Sequence, residues 1–308
     1  MPTVDSRLPR AGFEGLTSAA EIEYHKLDTH RIRPMHLVAL FQGTMCSVGC
    51  LAISVQHVPK RHLAVKRDGL RHLLDDSTTL VLDMCGTFMF GHDRFGPSEK
   101  YGQTYRLLKG TALSDESING AIAACVEALR KMYRDPAHQE SFPSVFSTLL
   151  SLTETRLLPE SELGLLEKIF AEHEAGYIPD DYCETLCRLS ERYRLALVSD
   201  IWSRKDKYVA ELKRARVFDL FEVTVFSSDS CAVKPCRRPF DEAVGALGVN
   251  SSEVLVVGDS LRCDIGGATA AGLRSIWINP NDEAPPSPGP QPNGWIRDLR
   301  ELESLVAR

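Results

Sequence analysis

Four clusters of charged and small polar residues stand out in this chain. Asp83-x-Cys85-Gly86-Thr87 directly follows the apolar run Thr79-Leu80-Val81-Leu82. Ser199-Asp200 follows Leu195-Ala196-Leu197-Val198, and Lys234-Pro235 lies a short way beyond a third apolar run at 222–226. Gly258-Asp259-Ser260-x-x-x-Asp264-x-x-Gly267-Ala268 follows Val254-Leu255-Val256-Val257. Taken together, these residue types suit phosphoryl transfer, which needs a nucleophile, a divalent cation and fixed positive charge around the phosphoryl oxygens. Asp83 offers a carboxylate nucleophile. Asp83 and Asp259 offer the oxygen donors that hard cations take. Asp264 is placed to be an outer ligand or the partner of Lys234, whose ammonium screens the attack of one anion on another. The Ser199 hydroxyl and nearby backbone N–H groups can bind an oxyanion. Each residue alone has a bland reading, since an aspartate after a strand usually caps a helix or forms a turn. It is the set of four, in order, that carries the chemistry.

Placing these residues requires a sheet. Short apolar runs of this kind read as buried parallel strands, and open α/β sheets bind ligands at the carboxyl ends of their strands. Strands are expected at 79–83, 195–198, 222–226, 254–257 and 275–278, with helices at 180–192, 205–216, 238–247 and 264–271. This alternation predicts an α/β fold with a parallel sheet. Between the first two strands, 93–177 reads as helical. Ile118, Ile122, Cys125, Val126 and Leu129 recur at helical spacing over 115–134, with Ser114 as an N-cap. Further helices are expected at 142–152 and 160–173. An insert of this length is too long for a loop and should form a cap over the ligand edge. Residues 281–294 read as a proline-rich linker and 295–306 as an amphipathic helix, with Ile296, Leu299, Leu302 and Leu305 on one face. Residues 1–77 read as a poorly defined N-terminal extension, with a short helix at 65–74.

Composition sets outer bounds. The chain has 308 residues, 43% hydrophobic and 25% charged, with a net charge of −6. That charge gives no footprint for nucleic acid. Nine cysteines, an odd number in a long chain, read as reduced thiols and a cytoplasmic location rather than a disulfide framework. The charge-free run 34–59 carries His36, Gln42, Gln56 and His57 among its apolar residues, so a buried or poorly ordered segment is favoured over a membrane span. The expected partner is a small anionic molecule, with neither nucleic acid nor membrane.

In order and spacing, the four clusters resemble those of the haloacid dehalogenase-like hydrolase superfamily, over residues 78–280. The resemblance implies a Rossmann-like three-layer parallel sheet with an inserted helical cap. The core would be 78–92 and 178–280, the cap 93–177, and the flap 88–92. It also implies a phosphatase that uses Mg²⁺ and forms an aspartyl-phosphate on Asp83. Asp83, Asp259, Asp264 and the backbone carbonyl of Cys85 would hold the cation. Thr87, Ser199, Asp200 and Lys234 would bind the substrate's phosphoryl group.

Cys85 departs from the pattern. Phosphatases of this superfamily usually carry a second aspartate there, which protonates the leaving oxygen and later activates water. A thiol is protonated at neutral pH but replaces a tuned carboxyl poorly. Subfamilies that resemble the 2-haloacid dehalogenases carry tyrosine at this position, and phosphonoacetaldehyde hydrolases carry alanine. The runner-up is therefore a dehalogenase or other carbon-centred hydrolase, and a third reading is a weakened domain used for binding or regulation. The paired Asp259 and Asp264 favour the metal-dependent phosphatase.

Two further expectations concern the surroundings of the site. Phe90, His92, Arg94, Phe95, Lys100, Tyr101 and Tyr105 follow the nucleophile and are candidates to face the substrate. Cys85, Cys231, Cys236 and Cys263 fall on loops at one sheet edge, where soft metals or oxidants would find them. Cys183 with Cys187, and Cys46 with Cys50, read as packing pairs.

Overall fold

A computed structural model describes residues 60–306; the run 34–59 and the Cys46–Cys50 pair lie outside them. Helix α1 (Lys60–Asp75) leads into β1 (Thr79–Leu82). The helical insert follows, with α2 (Tyr101–Leu107), α3 (Asp115–Arg134), α4 (Val145–Ser151) and α5 (Glu160–Glu174). Helix α6 (Asp180–Ser190), strand β2 (Arg194–Ser199), helix α7 (Asp206–Arg214) and strand β3 (Phe221–Phe226) resume the alternation. A single turn, α8 (Ser227–Ser230), and helix α9 (Arg238–Leu247) lead to β4 (Val254–Gly258). Helix α10 (Gly266–Ala270), strands β5 (Arg274–Ile278) and β6 (Gly294–Ile296), and helix α11 (Glu301–Val306) complete the fold.

The strands form one parallel sheet in the order β3-β2-β1-β4-β5-β6. Successive strand side chains point to opposite faces, and the sequence fills both with apolar residues. Leu80, Leu82, Leu195, Leu197, Leu255 and Val257 pack on one face with residues of α1, α6, α7 and α11. Val81, Ala196, Val198, Val254 and Val256 pack on the other with Phe240 and Ala243 of α9 and Ala268 of α10. The result is the expected three-layer, Rossmann-like α/β arrangement. Among the described residues no helix is long and apolar enough to cross a membrane.

The insert has its own core. The α3 positions Ile118, Ile122, Cys125, Val126 and Leu129 pack against Leu163, Leu166, Ile169 and Phe170 of α5. Ser114 caps α3 by accepting the Ser117 N–H. Helix α4 starts later than its apolar spacing suggests. Pro143 disfavours helix at Phe142, and Ser144 caps the shortened helix.

Two C-terminal expectations are corrected. The amphipathic spacing at 295–306 predicts one helix, but Gly294–Ile296 is a strand and only Glu301–Val306 is helical. Ile296, Leu299, Leu302 and Leu305 are buried all the same. The open edge of β5 captures the first of them as β6. Gly294 permits this by lying against Leu70 of α1, where a Cβ would stand 2.6 Å from Leu70 Cδ2. The helix expected at 264–271 is in fact a π-helical turn, Leu261–Ile265, followed by α10.

Candidate active site

Asp83 follows β1 directly, and its N–H donates to the Val257 carbonyl of β4 at 2.9 Å. Its carboxylate accepts from Lys234 Nζ at 2.6 Å and from the Thr87 hydroxyl at 3.0 Å. Lys234 also donates to Asp264 Oδ1 at 2.6 Å and to the Val198 carbonyl at 3.2 Å. All three side chains are buried, with Lys234 only 2% exposed. Burial alone would lower the lysine pKa. Asp264, Asp83 and Asp200 more than offset this and hold the ammonium pKa well above its usual value. Among these carboxylates Asp264 is pushed up to about 6, by burial and then by Asp83, even with Lys234 pulling the other way.

Asp259 stands at the mouth of this cluster. One oxygen each of Asp83, Asp259 and Asp264 lie within 4.8 Å of one another. Although the Asp259 side chain is open to solvent on one side, desolvation by the surrounding walls and then the charges of Asp83 and Asp264 push it up to about 8. Three carboxylates face one ammonium, so the cluster carries uncompensated negative charge. Oxygen donors with excess negative charge fit a hard divalent cation. Two glycines make the convergence possible. Gly86 has φ +85°, and a Cβ there would stand 2.3 Å from Asp259 Oδ2. A Cβ on Gly258 would stand 2.4 Å from Asp264 Cγ. Asp264 is further fixed by accepting the Ser260 N–H at 2.8 Å.

A cavity of about 270 Å³ opens over these groups. Asp83, Cys85, Lys234, Asp259 and Asp264 line it on the core side. Ser199 ends β2, and its buried hydroxyl has no hydrogen-bond partner. Asp200 lines the cavity too, but its carboxylate is already engaged. It accepts the Lys234 N–H at 3.0 and 3.1 Å and the Tyr133 hydroxyl at 2.6 Å. It is therefore arranged to hold the Lys234 loop and the cap.

Sequence reasoning missed the cap's contribution to this cavity. Tyr133 reaches in from α3, with Arg262 stacked 4.8 Å from its ring centroid, and Glu174 reaches in from the end of α5. Glu174 accepts the N–H groups of Trp202 and Ser203 at 2.7 and 2.9 Å, and burial pushes its carboxyl up to about 7. No spacing in the chain marks either residue.

Of the residues expected to face the substrate, only His92 lines the cavity. Tyr101 and Tyr105 are buried in the insert's core, and Phe95 packs on Phe170 with the rings tilted. Phe90 packs on Tyr182, and Lys100 is exposed just before α2. Arg94 donates to the carbonyls of Gly91 and Ala175 at 2.5 and 2.7 Å. It thereby staples the two chain segments that enter and leave the insert. The four rim cysteines also separate. Cys85 and Cys263 line the cavity, and Cys231 and Cys236 do not. Burial and then Asp83 push the Cys85 thiol well up, which keeps it protonated.

Comparison with known proteins agrees with this architecture. Residues 160–278 match the family model described as haloacid dehalogenase-like hydrolase. The chain is 35% identical to the pyrimidine 5'-nucleotidase YjjG of Escherichia coli over 98 residues, 32% of this chain and 43% of that protein. It is 34% identical to the glyceraldehyde 3-phosphate phosphatase of Pyrococcus abyssi over 96 residues, 31% of this chain and 40% of that one. The chain thus spans under half the length of either relative. A 2-haloacid dehalogenase structure from Pseudomonas syringae superposes with a TM-score of 0.53 at 22% identity, covering 75% of this chain and 99% of that one. That likeness concerns the fold alone. Over residues 160–278 the chain thus carries the signature of a haloacid dehalogenase-like hydrolase domain.

Proposed function

We propose that this protein is a Mg²⁺-dependent phosphatase of a small phosphorylated metabolite, with Asp83 as nucleophile. The observation that carries the reading is the buried Asp83–Lys234–Asp264 network with Asp259 at its mouth. The relatives named as a 5'-nucleotidase and as a phosphatase support it. Asp83 Oδ2 is held by Thr87, and Oδ1 by Lys234. That leaves the carboxylate oriented toward the cavity for attack on phosphorus, which would form an aspartyl-phosphate. Lys234 would offset the charge of the incoming anion, and the unpartnered Ser199 hydroxyl would donate to a phosphoryl oxygen. Asp83, Asp259, Asp264 and the Cys85 carbonyl would hold Mg²⁺, which supplies charge neutralisation and orientation. The substrate would be small and anionic, met without a nucleic acid or membrane partner.

Carbon-centred chemistry is the alternative, because Cys85 stands where a phosphatase usually has aspartate. A panel of alkyl, aryl and acyl phosphates tests the choice on wild type and Cys85→Asp, with and without chelator. Mg²⁺-dependent phosphate release is expected, with Cys85→Asp raising ester turnover. Halide release from a short 2-chloro acid in chelator, with no phosphate released from any substrate, would overturn the proposal.

A further inference from the structure

The segments that carry the chain into and out of the insert form a short antiparallel ribbon. Phe90 and Tyr177 exchange both backbone hydrogen bonds at 2.9 Å, and the Asp93 N–H donates to the Glu174 carbonyl at 2.9 Å. His92 lies between these two anchor points and lines the same cavity as Asp83 and Cys85. Directly after it, Asp93 takes the left-handed conformation at φ 54°, so the backbone is fixed on both sides of the imidazole. The His92 Nδ1 is buried and has no hydrogen-bond partner. A buried polar atom usually has one.

We propose that His92 is a further catalytic residue, the proton donor and acceptor for the leaving oxygen in place of the missing aspartate at Cys85. This inference rests on the phosphatase reading above.

Of the other proton-bearing groups around the cavity, Asp259 and Asp264 would be taken up by the cation, the Cys85 thiol is held well above its usual pKa by burial and then by Asp83, and the rest are committed elsewhere. Tyr133 donates to Asp200, and Cys263 lies 3.2 Å from that same hydroxyl. Both Glu174 oxygens accept backbone N–H groups. Lys234 is shared between two carboxylates, and Arg262 stacks on Tyr133. Tyr208 is buried, and its hydroxyl is held well above its usual pKa by burial and then by Glu174. Asp93 lines the cavity next to His92, and burial, only partly offset by the charge of His92, raises its carboxyl above the usual range. Histidine is the side chain suited to both halves of the cycle near neutral pH.

The steps balance. As Asp83 attacks phosphorus, the bond from phosphorus to the leaving oxygen breaks. The imidazolium passes its proton to that oxygen, which departs as an alcohol. Neutral His92 then takes a proton from the water that attacks the aspartyl-phosphate. The bond from phosphorus to the Asp83 oxygen breaks, phosphate leaves, and both carboxylate and imidazolium are restored.

The test is the dependence of kcat on the leaving group, measured with Mg²⁺ on a series from p-nitrophenyl phosphate to a primary alkyl phosphate. Wild type should show a shallow dependence, because the leaving oxygen is protonated as it departs. His92→Asn and His92→Gln should lose about 10²–10⁴-fold on the alkyl ester and little on the p-nitrophenyl ester. Adding Cys85→Asp to His92→Asn should restore alkyl turnover. A steep dependence in wild type overturns the proposal without any variant, as would an equal loss on both substrates in the His92 variants. In either case p-nitrophenyl phosphate turnover would leave the phosphatase reading standing. Wild type that releases no phosphate from any member of the series would overturn both.

Discussion

Lys234 holds two aspartates within hydrogen-bond reach in a space with almost no solvent, and this decides what each can do. A buried ion pair is weak support for stability, but removing one partner leaves uncompensated buried charge. Lys234→Met should therefore destabilise the protein by about 3–5 kcal/mol, read by chemical denaturation. Glu174 provides a second check at this scale, through its carboxyl raised to about 7 by burial. For a folded pKa above the unfolded one, the associated stability is fully present below the unfolded value and lost as pH rises through the folded one. For Glu174 that window runs from about 4.5 to about 7. The unfolding free energy of wild type relative to Glu174→Gln should thus fall by up to about 3 kcal/mol across it. A difference that stays flat with pH would mean that the carboxyl is not raised.

At the level of elements, every core-side member of the site sits at the carboxyl end of a strand or in the segment that follows it, Asp264 in the helical turn after β4. That was legible in the chain because an apolar run ending in Asp83, Ser199 or Gly258-Asp259 has a length and composition that few other structures share. The cap side was not legible. Tyr133 and Glu174 occupy ordinary positions on α3 and α5, and only the folding of the insert brings Tyr133 to Asp200. Strand β6 was hidden for a related reason. Ile296, Leu299 and Leu302 fit a helix face as well as a short edge strand, and the edge of β5 decides between them. Glycine placement offers an element-level prediction. Gly86→Ala forces a left-handed backbone onto a residue with a Cβ and presses that Cβ into Asp259. It should destabilise the protein by about 1–2 kcal/mol and weaken Mg²⁺ binding, measured by calorimetry. Unchanged Mg²⁺ affinity would separate Gly86 from the cation site.

On the scale of the whole molecule, the cap and the core meet around one acidic cavity, linked by the 90–94 and 173–177 segments. Without a cation the crowded carboxylates repel one another, and a bound cation would offset that repulsion. Mg²⁺ at 100 times its Kd should stabilise wild type by about 2.7 kcal/mol, seen as a rise in Tm. Asp259→Asn should raise the metal-free Tm, by relieving repulsion from Asp83 and Asp264, and should abolish the Mg²⁺ response. The central claim is that Asp83 is the nucleophile of a Mg²⁺-dependent phosphatase. Its most direct test is phosphate release from p-nitrophenyl phosphate by wild type and Asp83→Asn, each with Mg²⁺ and with chelator. The account predicts release by wild type with Mg²⁺ alone and none by Asp83→Asn; turnover that survives the substitution would contradict it.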